Sequence, residues 1–87
     1  MGCWVNGIPE AAVSPVDRGL QYGDGLFETM AARRGCIALL ERHLARLARG
    51  CERLGIGGVD FGELHGELQR AAQEQDVGVI KLIVTRG

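Results

Sequence analysis

The 87 residues make one small domain at most, 46% hydrophobic and 24% charged, with a net charge of −1. That balance has no basic excess suited to nucleic acid and no acidic block of the kind found in disordered tails. A chain this short buries only about 60–65% of its unfolded surface, so its independent stability is expected to be marginal.

The opening Met1-Gly2-Cys3-Trp4-Val5-Asn6 has neither a positive n-region nor an apolar h-region, so no signal peptide is expected. Asn6 stands where a myristoylation motif wants Ser or Thr. No apolar run approaches the roughly 20 residues that cross a bilayer. Cys3-Trp4-Val5 reads as a short strand, Asn6-Gly7 as a turn, and Ile8-Pro9-Glu10 as its return. Residues 13–16 are expected to form a second extended piece, which Pro15 confines to an edge. Asp17-Arg18-Gly19 then turns the chain. Gly23-Asp24-Gly25 is a tight turn that uses glycine's access to positive φ.

Residues 26–33 alternate as a strand. Phe27, Thr29 and Ala31 share one face; Leu26, Glu28 and Met30 share the other. Arg34-Gly35 makes a hairpin turn into Cys36-Ile37-Ala38. Leu40, Leu44, Leu47, Cys51 and Leu54 form one stripe of a helix over 40–54, which Gly55 stops. After the linker Ile56-Gly57-Gly58, Asp60 with Glu63 resembles a capping box. It opens a helix from Phe61 to about Gln75, with Phe61, Leu64, Leu68 and Ala71 as its buried row. Residues 77–85 are apolar and β-branched almost without interruption, so they read as a strand buried on both faces. Strands, then two helices, then a strand predict an α+β domain: a small mixed sheet with two helices on one side.

Several residues carry chemical potential, each beside a plainer reading. Cys3, Cys36 and Cys51 have no metal-ligand spacing, and no metal is expected. They read as reduced, partly buried residues of a cytosolic protein. The glycine turn matches no nucleotide-binding pattern. Arg42, Arg46, Arg49 and Arg53 cluster on one flank of the first long helix; taken alone, that is a solvated face. Yet Arg46 sits at the edge of the leucine stripe beside Gly50, where a guanidinium can reach a phosphate with two hydrogen bonds. His43 reads as a core-edge residue with a satisfied hydrogen bond, and His65 as exposed and inert. Lys81 is the only lysine. Burial would make it nucleophilic, whereas a stem lying along the sheet would leave its ammonium group at the surface.

Three segments together carry a resemblance: D-R-G-x-x-Y-G-D-G-x-F-E over 17–28, H-x-x-R-L over 43–47, and T-R-G over 85–87. In this combination the chain resembles the fold-type IV pyridoxal-phosphate enzymes, a family of aminodeoxychorismate lyases and of branched-chain and D-amino-acid aminotransferases. The starts Trp4-Val5-Asn6-Gly7 and 39–44 are most similar to the bacterial lyases. The resemblance implies that residues 1–87 are the small N-terminal domain of such an enzyme, without the larger, lysine-bearing domain. It implies pyridoxal 5′-phosphate as cofactor, with Arg46 on its phosphate and His43 as a structural neighbour. Phe27 and Thr29 would look toward cofactor and substrate. No catalytic residue is expected within these residues, because Lys81 does not match the family's cofactor-bearing lysine. The implied reaction converts 4-amino-4-deoxychorismate to 4-aminobenzoate and pyruvate for folate synthesis. The alternatives are aminotransferase chemistry or a non-catalytic α+β module. A homodimer in the cytoplasm, with neither nucleic acid nor membrane as partner, completes the expectation.

Overall fold

The computed structural model describes residues 2–9, 11–74 and 76–87 of the chain. β1 (Trp4–Val5) and β2 (Ile8–Pro9) form a hairpin. Asn6 at φ 52° and Gly7 at φ 76° supply the two left-handed residues that a two-residue hairpin turn needs. α1 (Arg18–Tyr22) leads into the long β3 (Gly25–Arg33), which turns through Arg34 and Gly35 into β4 (Cys36–Ile37). α2 (Leu40–Leu54) and α3 (Phe61–Gln73) follow, and β5 (Val77–Thr85) closes the order. β5 returns antiparallel along the whole of β3, from Gly25 opposite Thr85 to Arg33 opposite Val77.

The α+β class is as expected, with β4-β3-β5 antiparallel throughout and not mixed. Both long helices lie on one face of this sheet. Met30, Leu44 and Leu68 join strand, first helix and second helix in one cluster. Leu47, Cys51 and Ile56 form the other, against Leu26, Leu82 and Val84. The expected leucine stripe holds through Leu44, Leu47 and Cys51, while Leu54 is exposed. Gly55 ends the helix at φ 70°. Asp60 caps α3 by accepting from the Glu63 amide at 3.0 Å.

Four expectations need correction. Residues 13–16 form no strand. Asp17 does not simply turn the chain: its carboxylate accepts from the Gly19 and Leu20 amides and starts α1, a helix of five residues. Ala72, not Ala71, is the fully buried alanine of α3. The helix stops at Gln73, and the expected end at Gln75 lies outside the described residues, as do Met1 and Glu10. Finally, β5 is buried on one face only. Val77, Val79 and Ile83 point outward at 60–70% exposure, because no element among the described residues covers that face.

The motif residues explain how the start and end of this region meet. The Thr85 hydroxyl donates to Asp17 at 2.9 Å. Arg86 donates to Asp24 at 2.7 Å and to the Leu54 carbonyl at 2.7 Å. Only Gly23 of the Gly23-Asp24-Gly25 turn uses positive φ, 65° at the end of α1. Gly25 is needed for another reason: a Cβ there would collide with the Val84 carbonyl oxygen and come within 3.1 Å of the Thr85 Cα.

Candidate cofactor site

β3 and α2 position the candidate residues by their two periodicities. Alternation along β3 turns Glu28 toward the helices and Phe27 and Thr29 away from them. His43 and Arg46 stand three positions apart on α2, so both overhang the same strand position. Glu28 is the buried charged residue among those described, 5% exposed. Its Oε1 accepts from His43 Nδ1 at 2.6 Å and from Arg46 Nη2 at 2.8 Å. Its Oε2 accepts from Arg46 Nε at 2.9 Å. The Arg46 hydrogen bonds hold the Glu28 carboxyl below its ordinary range; burial opposes them and His43 adds to the lowering. The same contact raises the guanidinium's already high pKa.

Arg46 is thus paired on one edge and open on the other. Its side chain is 66% exposed. It stands at a half-open concavity of about 440 Å³, lined by Leu26, Phe27, Glu28, Arg49, Gly50 and Arg53 among others. A smaller groove of about 330 Å³, also bordered by Arg46, lies toward Arg42 and Leu39. Arg42, Arg49 and Arg53 make no ion pair among the described residues. Gly50 serves packing: a Cβ there would come within 2.8 Å of Leu26 Cδ1.

Arg46 and Phe27 therefore share one concavity, while Thr29 is absent from its lining. Thr29 lies on the outward sheet face opposite Lys81. The Lys81 ammonium sits over the Phe27 ring, 5.1 Å from its centroid, at the surface. His43 has the satisfied hydrogen bond expected of it. His65 is not idle: its Nε2 meets Glu41 at 3.1 Å and ties α3 to α2. Cys51 is buried, and burial pushes its thiol pKa up, while Cys3 and Cys36 are exposed rather than partly buried.

Glu28 was not singled out by its residue type. The signal was available: a carboxylate on the inward side of a strand, between Leu26 and Met30, must find a cation or pay for its burial.

Comparison with known proteins follows the same residues. The family model for amino-transferase class IV matches residues 25–87. The aminodeoxychorismate lyase of Vibrio harveyi is 31% identical over 84 residues, 97% of this chain and 31% of that protein. The crystal structure of 4-amino-4-deoxychorismate lyase from Pseudomonas aeruginosa superposes with a TM-score of 0.89 at 57% identity, covering 97% of this chain and 31% of that one. A hypothetical aminotransferase from Mycobacterium tuberculosis, in its PLP-bound form, gives 0.81 at 29% identity, covering 88% and 29%. The chain spans less than a third of the length of each of these proteins.

Proposed function

The chain belongs to the amino-transferase class IV family, and from that membership we propose that it forms the phosphate-gripping part of a 4-amino-4-deoxychorismate lyase using pyridoxal 5′-phosphate. The observation that carries this is the open edge of Arg46 at a concavity walled by Leu26 and Phe27. A planar aromatic ring with a phosphate tail fits such a site in kind: guanidinium donors for the phosphate, apolar side chains for the ring. The lyase relatives at 57% and 31% identity support the substrate, and the PLP-bound neighbour supports the cofactor.

In this reading residues 1–87 are the small domain of the enzyme, and the lysine that bears the cofactor belongs to other polypeptide. When bound, pyridoxal phosphate supplies the electron sink that lets pyruvate leave as the substrate ring becomes aromatic. The chain's own residues bind and orient. Arg46 would hold the phosphate, and Phe27 would wall the pocket, with Thr29 one step along the same outward face. Lys81 would stay a surface residue on Phe27. With 4-aminobenzoate as product, the enzyme would serve folate synthesis. A homodimer is part of the proposal, supported by the bare apolar sheet face. So is a cytoplasmic setting, which the free cysteines favour.

The second reading is an aminotransferase, supported by the aminotransferase neighbour. Assaying the polypeptide in which this chain occurs for 4-aminobenzoate release against keto-acid transamination separates the two. Release of 4-aminobenzoate is the expected result, and transamination alone overturns the lyase.

A further inference from the structure

Resting on the proposed anion site, we infer that Glu28 is a positioning residue: it fixes the plane of the Arg46 guanidinium so that the free edge is presented to the phosphate of the ligand. The charge of Arg46 does not itself require this. Arg42, Arg49 and Arg53 stand on the same flank of α2 with no ion pair among the described residues. What sets Arg46 apart is its anchor. Glu28 takes up Nε–H and one Nη2–H from the side, through both of its oxygens. Of the five N–H donors, three then remain, two of them side by side on the terminal edge of the guanidinium. His43 Nδ1, bonded to Oε1 at 2.6 Å, holds the carboxylate in turn. An exposed arginine otherwise samples many rotamers, and binding an anion would have to quench them. Here the buried carboxylate has already done so.

The idea makes a sign prediction that separates it from simple electrostatics. Glu28 is a negative charge close to the place of a bound phosphate. If charge alone mattered, Glu28→Gln would remove a repulsion and tighten phosphate binding. If positioning matters, the same substitution weakens it. Pyridoxal 5′-phosphate titrated into the chain by calorimetry, with phosphate-free pyridoxal as control, is the binding measurement. Glu28→Gln is expected to weaken the phosphate-dependent part at least about ten-fold, the scale on which orienting partners behind a binding group act. Glu28→Asp, which keeps the charge, is expected to recover part of it. Arg46→Lys, which keeps the cation and loses the fork, is expected to resemble Glu28→Gln.

A ligand-free readout guards against failure of the cofactor reading. In nitrogen–proton correlation spectra, the Arg46 Nε–H is expected to resonate apart from the other arginines and to exchange slowly with water. Glu28→Gln is expected to return it to the common arginine position while the amide spectrum keeps its folded dispersion. Equal or tighter phosphate binding by Glu28→Gln overturns the inference, as does an unmoved Arg46 signal. Absence of phosphate binding by the unsubstituted chain, with the Arg46 signal still dependent on Glu28, overturns the anion site and leaves the positioning standing.

Discussion

Glu28 joins an inward strand position to a surface arginine, and its protonation is therefore linked to folding. Its carboxyl titrates below the ordinary value of 4.5 in the folded chain. Between the folded and unfolded values the unfolded chain binds more protons, so stability rises with pH there. The contribution is complete above 4.5 and is lost as pH falls through the lower folded value. Thermal unfolding followed by circular dichroism from about pH 6 to pH 2.5 is expected to show a steep acid limb. In Glu28→Gln that limb should flatten, and it should flatten in Arg46→Ala as well, where the largest cause of the lowered carboxyl is removed. An acid limb unchanged in both variants would locate the acid sensitivity elsewhere. At this scale the sequence was legible for residues whose partners are local. The Asp60 cap on the Glu63 amide and the Arg34-Gly35 turn follow from spacing along the chain. Glu28 was not, because its partners lie 15 and 18 residues away on another element.

Among the elements, α1 and β5 hold each other through side chains that a family motif spells out. Asp17 caps α1 and accepts from Thr85; Asp24 accepts from Arg86; Gly25 lies flush against Val84 and Thr85. Gly25→Ala inserts a methyl group where backbone atoms stand, and backbone cannot swing aside as a long side chain can. A loss of about 1–3 kcal/mol is expected, the cost of overpacking a tight contact, read as a lower unfolding midpoint in urea. An unchanged midpoint would mean that strand β3 does not press on β5 as described. The two long helices were readable because an apolar stripe at helical spacing needs no knowledge of its partner. α1 escaped notice because five residues with an internal Gly19 show no period. β5 was misjudged for a physical reason too: an unbroken apolar run cannot say whether one or both faces are covered.

At the scale of the whole molecule, the helices cover one face of the sheet, and no element among the described residues covers the other. That outward face pairs Phe27 with Ile83 and Ala31 with Val79, with Lys81 and Arg33 as its cations. β5 also has an unpaired edge among the described residues, nine residues long and without proline. Such a surface favours association. Sedimentation velocity is expected to show concentration-dependent dimers or larger species, and Val79→Lys with Ile83→Lys is expected to shift the chain toward monomer. Sedimentation as a monomer at every concentration would argue that the face tolerates water. The α+β class was legible from the order of elements, whereas the bare face was not, because exposure is a property of what packs and not of what the strand is made of.

β3 bears the buried carboxylate and the outward aromatic on adjacent residues, and that adjacency has a mutational consequence. Single exchanges along the strand are graded in effect, but deleting or inserting one codon between Gly25 and Glu28 would invert the parity of the strand's N-terminal end. Leu26 would be driven outward and Phe27 inward, directly beside the Glu28–Arg46 pair. Frame-preserving indels in this short tract should therefore be far rarer among functional variants than the tolerance of its individual side chains suggests.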